Sequence, residues 1–178
     1  MSALVLEKVE GGALGAKESA LYDRQIRLWG VEAQNRMQKS KVFVLGFRGV
    51  HCEVVKNIVL AGINVVLYDR GNVTPDDLAS NFFLRPEDVG SPRVNAALAR
   101  VQEYNPLTSV TAESRSLDEL LENGAVYFED FSVVLLSDCS EGDVLRLNTM
   151  SRASASKASS KVGHSVHVYF LERVLLTF

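Results

Sequence analysis

The chain is predicted to fold as an α/β protein, a mostly parallel sheet flanked by helices, and three features of its 178 residues carry that prediction. The hydrophobic pattern changes period in a regular order, with helical spacing alternating with short apolar runs. Between Lys41 and Asp69 a strand, a glycine-containing turn, a helix and a second strand follow one another. Such a unit of about 30 residues requires a parallel pair and a right-handed crossover. The apolar runs are β-branched and aromatic, as buried strands are.

Residues 1–18 carry glycines and charges with no periodic face and read as a flexible arm. They lack the basic start, apolar core and small-residue cleavage site of a signal peptide, so an intracellular protein is expected. A helical stretch runs from Ser19 to Ser40, interrupted near Gly30, with Val31, Ala33 and Met37 apolar in its second half. "KVFVLG" is the first strand. In "HCEVVKNIVLAG", Val54, Val55, Ile58 and Val59 fall at helical spacing and Gly62 is placed to cap the end. "INVVLYD" is the second strand.

The helix "SPRVNAALARVQEYNP" sets Val94, Ala97, Leu98 and Val101 on one face and stops before Pro106. "LTSVTAESRS" suits a strand, "LDELLENG" a short acidic helix ended by Gly124, and "FSVVLLSD" a third buried strand. A further helix begins at "GDVLRLNTMSRA", but "SRASASKASSK" offers no apolar face and reads as a frayed end or a solvated linker. Two strand-like runs, Val166 to Leu171 and Val174 to Phe178, close the chain. Residues 19–178 are expected to form a single domain.

The net charge of -3 lacks the basic excess of a nucleic-acid binder, and no apolar run is long enough to span a bilayer. Cys52 and Cys139 lie far apart without a CxxC pair, so neither a disulfide framework nor a cysteine zinc site is built within the chain. Both thiols read as small packing groups. His164 and His167, three apart on a strand, fall on opposite faces and do not make a metal pair. Asp76, Asp77, Glu87 and Asp88 read as a solvated acidic set, and Phe82 and Phe83 as packing.

Two stretches bear on function. After the first strand comes "GFRGVHCE", where a dinucleotide fingerprint wants G-x-G-x-x-G. Gly46 and Gly49 are three apart and His51 holds the third glycine's place, so a structural turn is favoured over a working phosphate cradle, with His51 expected to crowd a bound anion. Asp69, ending the second strand, is of the type that holds ribose hydroxyls, and equally of the type that forms a turn before Gly71. The other stretch is "YDRQIRLWG", which puts Asp23, Arg24 and Arg27 beside Trp29. Its chemistry alone suits a docking helix whose arginines pair with neighbouring acids, Arg27 in a structural salt bridge and Trp29 in core or interface packing.

From about Leu21 to Arg152, "YDRQIRLWGVEAQNRMQKSKVFVLG", "VVKNIVLAGINVVLYDRGNVTPDDLASNFFLRPEDVGSPRVNAA" and "RLNTMSR" closely resemble the Rossmann-like adenylation fold of ubiquitin-like-modifier-activating enzymes, the ThiF/MoeB superfamily. Within it the resemblance is to the smaller, non-catalytic subunits of SUMO-type activating enzymes. It implies ATP-dependent adenylation of a modifier's C-terminal carboxylate in a heterodimer, with ATP and magnesium bound by a larger, catalytic, cysteine-bearing partner. Working halves of the family carry "SNLNRQFLF" and a lysine in "GxxKA". Here "SNFFL" lacks the Asn-Arg pair and Arg93 stands for the lysine, which together with His51 marks the inactive half. Gly46, Gly49, His51, Asp69 and Arg93 are then vestiges of a nucleotide site, and no cofactor is bound by this chain alone. The resemblance assigns Arg24 to ATP in the partner, contributed in trans, and implies a nuclear location without excluding the cytoplasm. After about residue 152 the resemblance fades, as expected of a truncated or divergent chain. Two other readings stay open: a stand-alone Rossmann-like nucleotide enzyme, and a remnant that only binds an activating-enzyme subunit.

Overall fold

The computed structural model describes residues 15–122, 124–158 and 167–170. Helices α1 (Ala16–Leu21) and α2 (Asp23–Lys39) lead into strand β1 (Lys41–Leu45), followed by α3 (Gly49–Leu60), β2 (Asn64–Tyr68), the short α4 (Asp77–Ser80) and α5 (Arg93–Glu103). Then come β3 (Val110–Ala112), α6 (Leu117–Glu122), α7 (Gly124–Tyr127), β4 (Val133–Leu136), α8 (Glu141–Ala158) and β5 (His167–Phe170). The strands form one sheet in the order β3-β2-β1-β4-β5, every neighbouring pair parallel.

Both faces of the sheet are covered, which is why its strands are continuous apolar runs. Val42 and Val44 of β1, with Val65 and Leu67 of β2, pack against Val55 and Val59 of α3 and Val94, Ala97 and Val101 of α5. Phe43, Leu45, Val66 and Tyr68 turn the other way, onto Leu120 and Leu121 of α6, Leu147 of α8, and Phe128 and Phe131 between α7 and β4. Period-two alternation thus deals successive residues to two different cores. On the second face, Phe43 meets Phe128 and Phe131 edge-on, with ring centres 5.3 and 5.5 Å apart. Pairs of that geometry add about 0.5–1.5 kcal/mol beyond the area they bury.

Helix α3 ends as its sequence predicts. Gly62, at φ +94, follows the last turn, and the Gly62 and Ile63 amides donate to the Val59 and Ile58 carbonyls, the pattern of a Schellman cap. Helix α2 breaks at Gly30, where the backbone leaves helical geometry. Its inner face departs from expectation, because the residue it buries is Gln34, while Val31 is exposed.

Several other expectations are corrected. The first helix starts at Ala16, before Ser19. Gly124 opens α7 instead of ending α6, whose last residue is Glu122. The Ser/Ala/Lys run continues α8 to Ala158, since alanine and lysine are good helix formers even without an apolar stripe. Asp77 is buried and Asp88 pairs with Arg100 at 2.5 Å, so neither belongs to a solvated set. Of the two closing strand-like runs, the first contributes β5; His164 and residues 174–178 lie outside the described residues.

Candidate functional site

Strand order reverses between β1 and β4, and at the carboxyl ends of parallel strands such a reversal opens a crevice where α/β proteins hold ligands. A cleft of about 480 Å³ lies there, lined by Gly46 and Arg48 after β1, Asp69 to Gly71 after β2, and Asp138 to Ser140 after β4. Two of the sequence-predicted residues, Gly46 and Asp69, face it directly, and Arg93 reaches it from the start of α5.

The turn after β1 is closely built. Gly46 adopts φ +85, and a Cβ on it would come within 2.5 Å of the Ser137 carbonyl oxygen, so only glycine lets β1 and β4 end this close together. His51 does not line the cleft; it is buried in the first turn of α3. Its Nδ1 donates to the Gly46 carbonyl at 2.5 Å, with Ser137 Oγ at 3.1 Å. Because a carbonyl only accepts, Nδ1 carries the proton, and Nε2 is a buried lone pair with no partner among the described residues. Burial pushes the His51 pKa down, against the opposing pull of that carbonyl, and keeps the ring neutral. The imidazole therefore braces the turn from beneath instead of crowding its mouth.

Asp69 is largely consumed. Its Oδ2 accepts from the Phe47 amide at 2.8 Å, and its Oδ1 accepts from the Gly71 amide at 2.7 Å and from Arg93 Nη1 at 2.6 Å. Three of the roughly four acceptor positions of a carboxylate are taken, so a ribose diol would have to displace Arg93 to be held bidentately. Arg93, 1% exposed, also donates from Nη2 to the Asn72 carbonyl at 2.8 Å and to Asp77 Oδ2 at 3.0 Å, and from Nε to the same oxygen at 3.2 Å. Burial opposes the charge on Arg93, but Asp69 and Asp77 outweigh it and raise its pKa. Burial likewise pushes the Asp77 carboxyl up, while the donors from Thr74 and Arg93 overcome it and hold the group below the usual carboxylate range. Arg48 Nε completes the cluster, 3.2 Å from Asp77 Oδ1.

Arg24 does not line this cleft. It lies exposed in the first turn of α2. Asp23 pairs with Arg27 at 3.0 Å, which gives Arg27 the salt bridge expected of it. Neither a salt bridge nor a hydrogen bond engages Arg24 among the described residues. Leu28, one helical turn on and 80% exposed, shares its face, and Leu21, Trp29 and Val31 of the same stretch of chain are also exposed. Of the cysteines, Cys52 is fully buried and its thiol is pushed up to about 12, an inert packing group. Cys139 is half-buried at the edge of the cleft. Phe83 stacks on Phe47 in the core. Arg48 and Asp138 escape a reading from sequence, and Asp77 reads there only as a solvated acid; the position of Asp138 at the end of the third buried strand was the available signal. Among the described residues no group of His, Cys, Asp and Glu is arranged to hold a metal ion, and no helix is long and apolar enough to cross a membrane.

Over 155 residues the chain is 36% identical to SUMO-activating enzyme subunit 1 of Homo sapiens, covering 86% of this chain and 44% of that protein. It is 36% identical over 140 residues to DNA damage tolerance protein RHC31 of Saccharomyces cerevisiae, covering 78% of this chain and 40% of that one. The chain thus spans less than half the length of the curated relatives it matches. Among solved structures, E. coli tRNA N6-threonylcarbamoyladenosine dehydratase, TcdA, has the same fold, with a TM-score of 0.70 at 17% identity over 89% of this chain and 62% of that one. Residues 22–146, well over half of the sequence, match the ThiF family, and with its parallel sheet and switch-point cleft this chain belongs to that family.

Proposed function

We propose that the chain acts as the non-catalytic half of a heterodimeric SUMO-activating enzyme, and that it supplies Arg24 in trans to ATP held with magnesium by a larger, catalytic, cysteine-bearing subunit. The observation that carries this reading is the contrast between two guanidinium groups. Arg93 is sealed onto Asp69 and Asp77 where a nucleotide's ribose would be held, while Arg24 stands exposed on a face it shares with Leu28. Clustered exposed apolar side chains mark interaction surfaces. The similarity to SUMO-activating enzyme subunit 1 supports the choice of modifier and, with it, a nuclear location.

The chemistry suits the assignment. Adenylation by attack at the α-phosphorus expels pyrophosphate, and negative charge grows on the departing oxygens. A guanidinium stays charged, matches phosphate oxygens in pairs, and stabilises such charge best when fixed in place beforehand. Contribution from a second subunit is the arginine-finger arrangement of phosphoryl transfer.

The test is co-expression with a catalytic subunit, followed by ATP-pyrophosphate exchange. Arg24→Ala is expected to raise the barrier by roughly 2 to 4 kcal/mol, the range for one lost charge-stabilising donor, and to leave assembly intact. Unchanged exchange would remove Arg24 from the reaction. Tight ATP binding by the isolated chain at the Asp69 cleft would instead favour a stand-alone nucleotide enzyme.

A further inference from the structure

The segment that carries Arg24 is held to the domain by hydrogen bonds more than by an apolar stripe. Tyr22, 1% exposed, forms the joint between α1 and α2 and sits two residues before Arg24. Its hydroxyl accepts a hydrogen bond from Asn105 Nδ2 at 2.8 Å, across 83 residues of sequence. The same Nδ2 donates to the Val59 carbonyl at 2.8 Å. Gln25 Nε2 donates to the Leu60 carbonyl at 3.2 Å, and Gln34 Nε2 to the Ala61 carbonyl at 2.9 Å. Trp29 Nε1 donates to Gln34 Oε1 at 3.1 Å. Three successive carbonyls at the end of α3 are thereby each met by a side-chain amide, two of them from α2.

Apolar contact is non-directional, whereas a hydrogen bond sets distance and angle. A row of such bonds fixes where a helix begins, beyond merely attaching it. One member even works against stability, since Gln25 Oε1 is buried with no partner among the described residues, and an orphaned buried acceptor costs free energy. A methionine at residue 25 would fill the same space without that cost. The amide's use lies in placement.

We propose that Tyr22 and Gln25 are positioning residues for Arg24: anchored on Asn105 and on the end of α3, they set the helix start from which the guanidinium reaches the partner's ATP. This inference rests on the function proposed above. Its sensitivity follows from the tolerance of charge stabilisation, where a displacement of about 1 Å costs on the order of a hundredfold in rate.

The test is a double-mutant cycle in the complex with the catalytic subunit, read by ATP-pyrophosphate exchange, with assembly and thermal midpoint measured on every variant. Tyr22→Phe is expected to lower exchange about tenfold, part of the loss that full misplacement would bring. In an Arg24→Ala background the same substitution should change exchange by less than about twofold, because an anchor whose guanidinium is gone has nothing left to place. Gln25→Met should repeat the pattern with a smaller loss and no fall in thermal midpoint, a combination a merely structural residue does not give. It also decides the matter if Tyr22→Phe impairs assembly. Equal fold-losses with and without Arg24, or no loss with Arg24 present, would overturn the positioning role and leave the Arg24 reading standing. If Arg24→Ala itself leaves exchange unchanged, the Arg24 reading fails, and the positioning role with it.

Discussion

Removing the Arg93 guanidinium should be the most damaging single change at the candidate site, and its size can be worked from the contacts. Arg93→Met keeps much of the side chain's bulk but breaks two ion pairs and the bond to the Asn72 carbonyl. Breaking a buried pair from one side costs roughly 3–5 kcal/mol, because the partner charge is left uncompensated. Here the residual charge is partly served: Asp69 keeps the Phe47 and Gly71 amides, and Asp77 keeps Thr74 and Arg48. The lower end, about 3 kcal/mol, is therefore expected. Urea unfolding of the purified chain should show a midpoint lower by about 1.5 M at a slope near 2 kcal/mol/M, with the slope itself unchanged. Adding Asp77→Asn should recover part of the loss, since it neutralises one stranded carboxylate. A destabilisation under about 1 kcal/mol, or none recovered in the double variant, would mean that the cluster is not the closed, mutually dependent unit described.

Glu113 gives a pH-dependent counterpart. Its carboxylate accepts from Arg115 at 2.7 Å and from the Tyr127 hydroxyl at 2.8 Å, and Arg115 foremost holds its pKa down to about 2, against an ordinary value of 4.5. A depressed folded-state pKa contributes stability that is present above 4.5 and is lost as pH falls toward 2. Glu113→Gln should therefore lower the thermal midpoint at pH 7, with the difference from wild type shrinking below pH 4.5 and gone near pH 2; a constant difference across that window would contradict the linkage. Gly62→Ala should destabilise by more than the roughly 1–2 kcal/mol of a left-handed backbone, because the new Cβ would lie 2.9 Å from the Tyr22 hydroxyl oxygen. Gly90→Ala, at φ +90 with open space around it, is the control that carries only the backbone cost, and equal losses at the two positions would refute the steric claim.

What the sequence reveals depends on which force sets each feature. "KVFVL", "NVVLY" and "VVLL" are legible as strands because burial on both faces leaves no polar position to interrupt the run. Gly62 is legible as a cap because only its backbone freedom matters there. The continuation of α8 through serine, alanine and lysine is not, since those residues form helix by propensity and leave no periodic mark. Nor is the docking of α2 legible, because a search for apolar spacing passes over Gln25 and Gln34. At the site, Asp69 could be placed from its position after β2. Its capture by Arg93, 24 residues on, and Arg93's grip on Asp77 could not, because the spacing of charges along a chain says nothing of their distance across a fold. The same limit hid the real role of His51: the residue type at the turn was plain, its inward direction was not.

The position of β1 also dictates when this sheet can be finished. One side of β1 is satisfied by β2, close behind it in sequence, but its other neighbour is β4, whose Val133 to Leu136 align with Val42 to Leu45. Loop-closure entropy makes that distant pairing slow relative to the local one. During synthesis, the nascent polypeptide therefore carries a central ribbon zipped on one side only until β4 has emerged, and for that interval its open border is prone to stick to other chains.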